Sequence, residues 1–171
     1  MNTDIKSLLP DGFAGSSRVW IYQCSRPFGE NELPEVQEQL DQFTQQWQAH
    51  GQPVKGWGTV LFKQFVVLMA DESQTMVSGC STDTSVRILK SLERQYQVSL
   101  FDRMTLAFWI RDRVQALPLS QLSYAMQQGY IQEDTLFFNN AVLTKQEMET
   151  QWLRPVKDSW LMRKINPQVV I

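Results

Sequence analysis

The run Phe65-Val66-Val67-Leu68-Met69-Ala70 constrains the fold more than any other stretch of this chain. A strand with one wet face alternates apolar and polar residues. This run does not alternate, so both of its faces need cover and it belongs in the middle of a sheet. Trp57-Gly58-Thr59-Val60-Leu61-Phe62 comes just before it, with Lys63-Gln64 between. That spacing predicts a tight hairpin, although the turn lacks the Gly or Asn such turns favour. Arg18-Val19-Trp20-Ile21-Tyr22-Gln23 is aromatic and β-branched and reads as the first strand, with Thr105-Leu106-Ala107-Phe108-Trp109-Ile110 as another.

Two helical patterns separate these strands. Leu33, Val36, Leu40, Phe43 and Trp47 recur at intervals of three and four, with Pro34 in the first turn and Gly51 as the stop. The second begins near Asp83, capped by Thr82 or Asp83, and carries Val86, Leu89, Leu92 and Tyr96 on its inner side with Ile88 beside them. The order β-α-β-β-α-β predicts an α+β domain, a ferredoxin-like antiparallel sheet over residues 16–111 with its helices on one face. Residues 1–15 read as a leader that lies on the surface or packs loosely. Residues 112–171 read as a mostly helical C-terminal extension packed on the core, so that the whole is a single domain. In that extension Arg111-Asp112-Arg113 is a turn, Val114 to Leu117 an edge strand, and Leu136-Phe137-Phe138 a short strand or an apolar anchor. Ser120 and Thr144 stand where helix caps are expected, and Pro155 should break or kink the helix that Thr144 begins.

A chain of 171 residues, 43% apolar and 20% charged, can bury one sizeable core and is too apolar for disorder. The formal net charge is −2 and the isoelectric point about 5.4. Nucleic acid is therefore not an expected partner, because such binders carry a basic footprint. Cys24 and Cys80 are far apart and form no Cys-x-x-Cys pair. That excludes a disulfide framework and a zinc knuckle and suits a reducing cytoplasm. No apolar run approaches the roughly 20 residues of a membrane span, and the N-terminus lacks the pattern of a signal peptide. The expectation is a cytoplasmic protein without a metal or a cofactor. The single histidine, His50, sits at the end of the first helical pattern, where a cation suits the helix dipole, and reads as structural.

Three stretches carry possible chemistry. Phe65 to Glu72 has the form of a Walker B strand, and Gly51 and Gly56 have the spacing of a phosphate loop. Trp57-Gly58, however, stand where the phosphate-binding Lys and the metal-binding Ser or Thr would be needed, so this chain alone is not expected to hydrolyse ATP. Lys55 to Phe62 is similar to the longer motif of RNA-recognition domains, but Thr59 replaces a base-stacking aromatic. The third is Ser78-Gly79-Cys80-Ser81-Thr82-Asp83, followed by Thr84-Ser85, at a predicted strand-to-helix junction. Small and hydroxyl-bearing residues there could bind a ligand, an anion on free N–H groups included, and a thiol at a helix N-terminus can be reactive. A cysteine packed as a small hydrophobe is the plainer reading. Asp71 and Glu72 beside the junction are candidate acid, base or metal ligands.

Taken together, Arg18 to Gln23, Asp71-Glu72-Ser73, Ser78 to Asp83, Phe101-Asp102-Arg103 and Lys157-Asp158-Ser159-Trp160 resemble landmarks of a group of small bacterial proteins labelled "ABC transporter ATPase". The resemblance runs from about Ser16 to Trp160 and brings no catalytic residues with it. The function expected from the residues is a non-catalytic binding or interaction protein with a protein or small-molecule partner, a second copy in a homodimer included. A small enzyme using Cys80, Asp71 or Glu72 is the first alternative, and an RNA-binding module the second.

Overall fold

The structure, a computed structural model, describes residues 4–49, 51–72 and 79–165, with side chains described outside 79–83. Its elements are β1 (Arg18–Gln23), α1 (Glu32–Gln46), β2 (Gln48–Ala49), β3 (Gln52–Pro53), β4 (Lys55–Leu61), β5 (Phe65–Asp71), α2 (Gly79–Tyr96), β6 (Thr105–Ile110), β7 (Arg113–Pro118), α3 (Leu122–Gln127), β8 (Leu136–Phe138), α4 (Lys145–Gln151), β9 (Leu153–Pro155) and α5 (Leu161–Ile165). The α+β class holds. The strands form two antiparallel sheets, β1-β5-β4 and β7-β6-β8-β9, and a small β2-β3 ribbon.

β5 is the centre of the first sheet, as its unbroken apolar run requires, and every residue from Phe65 to Ala70 is fully buried. Val66 and Leu68 pack with Val36 and Leu40 of α1 and Leu89 and Leu92 of α2. Phe65, Val67 and Met69 pack on the other side with Ala107, Phe138, Met148 and Trp152. Both long helices thus cover one face, and the C-terminal half covers the other. Gly56 and Gly58 of β4 lie under α1. A Cβ on Gly56 would come within 2.8 Å of the Trp47 ring, and one on Gly58 within 3.1 Å of Leu68. These glycines therefore let the helix close onto the sheet. The β4–β5 turn forms without Gly: Phe62 and Lys63 take φ of 50° and 58°, as a type I′ turn demands, and Gln64 N–H donates to Leu61 O. Outside contacts hold it there, since Cys24 N–H and Phe28 N–H donate to Gln64 O and Lys63 O.

The single four-stranded sheet expected from the β-α-β-β-α-β order does not form. β6 pairs with β7 and β8 instead of lying beside β1. The reason is in its own residues. Ala107 faces the first sheet, while Leu106 and Phe108 face Leu122, Phe137 and Leu161. β6 is therefore a second strand buried on both faces, and it needs neighbours of its own. The hairpin to β7 turns at Arg111 and Asp112, both at positive φ. Residues 112–165 are accordingly not mostly helical, because β7, β8 and β9 complete this sheet.

Other expectations shift in detail. α1 ends at Gln46, and Gly51, at φ 75°, turns the β2–β3 ribbon instead of stopping the helix; His50 lies outside the described residues. α2 begins at Gly79, so Thr82 and Asp83 fall inside it and not at its cap. Ser85, in place of Val86, is the buried residue of the first described turn, because positions 85, 89, 92 and 96 share one helix face. Leu153–Pro155 is strand, not a kinked helix. Ile5 and Leu9, in the segment read as a surface leader, are buried in the core against α4. Thr144 caps α4 as expected, its Oγ1 accepting from Glu147 N–H.

Candidate functional site

The departure of β6 leaves the outer edge of β1 facing other partners. At its Arg18 end that edge is closed: Val19 N–H donates to Leu143 O and Lys145 N–H to Ser17 O, both at 2.9 Å. Beyond it, residues 139–142 turn back on themselves, with Val142 N–H on Asn139 O, and leave the edge. A cleft of about 150 Å³ opens there, between β1, the Leu100–Leu106 segment and the Asn139–Ala141 turn, with Trp160 at its side.

Backbone groups along a strand point alternately to its two sides. Val19 N–H points outward, and Cys24 N–H points inward to Gln64 O. The N–H and C=O of Ile21 and Gln23 therefore face the cleft, and among the described residues no protein group bonds them. Gln23 is itself buried, and its Oε1 accepts from Asn140 Nδ2 at 3.1 Å. Asn140 Oδ1 in turn accepts from Trp152 Nε1 at 3.0 Å. This relay fixes the inner wall to the core. Asn139 Oδ1 is buried on the same wall with no hydrogen-bond partner among the described residues.

Tyr22 packs edge-on to Phe101, and its hydroxyl bonds Ser85. Burial pushes its phenol pKa up, against the opposing pull of the nearby Arg103 guanidinium and of the Ser85 hydrogen bond. Arg103 is exposed at the mouth, and no carboxylate pairs with it among the described residues. Its neighbour Asp102 is occupied elsewhere. It accepts from Thr105 Oγ1 at 2.6 Å and Met104 N–H at 2.7 Å, which hold its carboxyl below the usual range. The Asp102 turn therefore sets the loop that presents Arg103, and leaves the cation free to meet a ligand.

The candidates read from the sequence lie elsewhere. Ser78 is outside the described residues. Gly79, Cys80, Ser81, Thr82 and Asp83 are in the first turns of α2, helix instead of junction loop, with their side chains outside the description. Asp71 pairs with Lys55 at 3.2 Å and Glu72 with Arg18 at 3.7 Å, at the end of β5 opposite the cleft. Among the described residues no group of three or more His, Cys, Asp or Glu could hold a metal ion, and no helix is long and apolar enough to cross a membrane. Cys24 is wholly buried, and burial raises its thiol pKa. The apparent phosphate loop is the β2–β3 ribbon and the start of β4, with Gly56 spent on Trp47. The sheet face that an RNA-recognition domain uses for stacking is here packed against Phe138 and Trp152.

Residue type and spacing do not single out Tyr22, Gln23, Arg103, Asn139 or Asn140. Tyr22, Gln23, Phe101, Asp102, Arg103 and Trp160, which lie in three separate stretches of the sequence, all line the cleft. A larger groove of about 540 Å³ runs between β7 and α3 beside the exposed Tyr124 and Tyr130. The smaller cleft is the better candidate, because unbonded backbone groups of β1 face it and the Gln23–Asn140–Trp152 relay ties its wall to the core. No protein-family model matches the chain, and no curated protein or solved structure is significantly similar to it.

Proposed function

We propose that the chain is a non-catalytic binding protein that holds an anionic group of its ligand in the cleft beside β1. The observation that carries this reading is Arg103, a cation without a carboxylate partner among the described residues, which lines the same opening as Tyr22, Gln23, Asn139 and Asn140. In this reading the β1-α1-β4-β5-α2-β6 order is a ferredoxin-like arrangement opened at its fourth strand, and the opening is the site. The resemblance to the small bacterial proteins labelled "ABC transporter ATPase" contributes the positions of its landmarks and no activity. Cytoplasmic residence belongs to the same proposal, supported by the unpaired, buried thiol of Cys24.

Catalysis by Cys80, Asp71 or Glu72 has less support, since both carboxylates are ion-paired away from the cleft. The test is a thermal shift of the purified protein in acetate, succinate and inorganic phosphate at constant ionic strength. At least one anion should raise the melting temperature saturably, and Arg103→Ala should abolish the rise. No saturable shift, or one that survives Arg103→Ala, overturns the proposal.

A further inference from the structure

The groove between β7 and α3 shares no residue with the cleft beside β1 and is built differently. Its floor is apolar: Phe108, Ala125 and Ile131 line it and are almost wholly buried. Its volume of about 540 Å³ falls within the roughly 300–1,000 Å³ of small-molecule sites, which combine such floors with a few placed polar groups. Local structure fixes the rim. Gly129, at φ 71°, ends α3, and Tyr130 N–H donates to Ala125 O. This reversal buries Ile131 and leaves Tyr130 71% exposed, while Tyr124 of α3 is 62% exposed. Neither ring packs on another ring among the described residues. On the β7 side, residues 113, 115 and 117 share one face of the strand. Arg113 therefore lines the groove with Gln115 and Leu117, and Arg111 joins it from the β6–β7 turn. Neither arginine has an ion-pair partner among the described residues, Asp112 between them included, and no carboxylate lines the groove.

We infer that this groove is a second binding site, for a small organic anion built on a flat apolar ring. The ring lies on the floor of Phe108 and Ile131, against Tyr124 and Tyr130. The acidic group meets Arg111 and Arg113. Two guanidinium groups without a counter-charge call for a negative ligand, and their planar forks suit carboxylate and phosphate alike. Aromatic side chains without a ring partner favour a ring that can stack offset or edge-on. A bare anion would leave the floor uncovered, and a neutral ring would leave both arginines unanswered. A nucleic-acid strand is disfavoured, because the cationic rim is two residues long and the chain carries a net charge of −2. The site is independent of Arg103 and of the reading built on it.

The test is calorimetric titration of the full chain with indole-3-acetate, phenylacetate and phenyl phosphate. Indole-3-acetamide, phenylacetamide and phenol serve as uncharged counterparts, and acetate as the anion without a ring. At least one ringed acid should bind saturably, about ten-fold or more tighter than its uncharged counterpart and than acetate, as expected for charge-assisted hydrogen bonds. Comparison of phenylacetate with phenyl phosphate tells which acid the arginines prefer. Arg111→Asn combined with Arg113→Gln should erase the advantage of the acid; Asn suits residue 111, which stands at φ 51°. Tyr124→Ala should weaken binding by about two-fold to ten-fold. In the wild type, intermolecular nuclear Overhauser effects should join the ligand ring to the Ile110 methyl groups, a readout that needs no variant. No saturable binding of any ringed acid, or equal binding of acid and uncharged counterpart, overturns the inference. So does binding that Arg103→Ala removes and the Arg111 and Arg113 substitutions do not; the ligand then belongs to the cleft beside β1. A single-stranded oligonucleotide bound more tightly than every small acid overturns it too, and makes the groove a nucleic-acid surface.

Discussion

The two ends of the outer edge of β1 are built from the same kind of strand and end up with opposite character. At Arg18 and Val19 the edge is closed by the backbone of Leu143 to Lys145, and the closing segment is fixed by the capped start of α4. At Ile21 and Gln23 the neighbouring chain has turned away, and polar groups face a cleft. The difference lies in the local structure that each neighbouring segment belongs to. Thr144 leads into a helix whose Met148 is buried, so its segment has a reason to stay. Residues 139–142 close a turn on themselves and so satisfy Asn139 O without β1. A strand edge remains open where its neighbour has a better local bond to make.

Both ends depend on the aromatic layer between the sheets, so the largest effect is expected there. Trp152 is fully buried, edge-on to Phe65 at 5.2 Å and to Phe138 at 5.3 Å, and its Nε1 holds Asn140. Trp152→Ala should cost about 3–5 kcal/mol from the cavity alone. It should also free the Asn140–Gln23 relay. Urea melts measure the loss. A cost near zero would mean that the second sheet is not packed on the first, and the comparison of edge ends would lose its footing.

That layer also marks what could be read from the sequence. The unbroken apolar run at Phe65 to Ala70 announces a central strand, and β5 is one. Leu106-Ala107-Phe108-Trp109-Ile110 is equally unbroken, and the same logic makes β6 the centre of a second sheet. The β-α-β-β-α-β order alone does not fix which sheet β6 joins. The helix stripes were legible because Val36, Leu40, Leu89 and Leu92 obey a period fixed by local geometry. The cleft was not, because it depends on where 139–142 leaves β1, more than a hundred residues away along the chain. Arg103 could not be told from any surface arginine without knowing that Asp102 bonds Thr105 and Met104 instead of pairing with it.

A smaller effect tests the closed end. Thr144 Oγ1 accepts from Glu147 N–H at 3.2 Å, and Glu147 Oε2 accepts from Leu143 N–H at 2.7 Å. Thr144→Ala should cost about 0.5–2 kcal/mol. Hydrogen exchange sharpens the contrast. In the wild type the Val19 amide should be protected while those of Ile21 and Gln23 exchange quickly, and Thr144→Ala should move Val19 toward its neighbours. Equal protection of all three would show that the edge is closed along its whole length.

Acid tests the loop at the open end. The Asp102 carboxyl is held below its usual range by the Thr105 hydroxyl first and the Met104 N–H second. A depressed folded-state pKa contributes stability that is complete above the unfolded value, roughly 3.9, and is lost as pH falls through the folded one. The difference in melting temperature between wild type and Asp102→Ala should therefore be constant from pH 7 to about pH 5 and shrink below about pH 4. A difference unchanged down to about pH 2 would mean that the carboxylate does not hold the loop.

The smallest expected effect on stability is that of Arg103→Ala, and its smallness is the point. An exposed side chain that has no ion-pair partner among the described residues should change stability by no more than about 0.5 kcal/mol. Its removal should still be visible locally. The guanidinium opposes the upward push of burial on the Tyr22 phenol, so without it the Tyr22 pKa should rise further. The difference in ultraviolet alkaline titration between matched proteins with and without Tyr22→Phe isolates that phenol. A stable variant with a higher Tyr22 pKa places Arg103 at the cleft and leaves it free for a ligand. A variant destabilised by more than about 1 kcal/mol would instead make Arg103 part of the frame. The open end of β1 would then be held shut by its own arginine, and the two ends would differ in construction but not in availability.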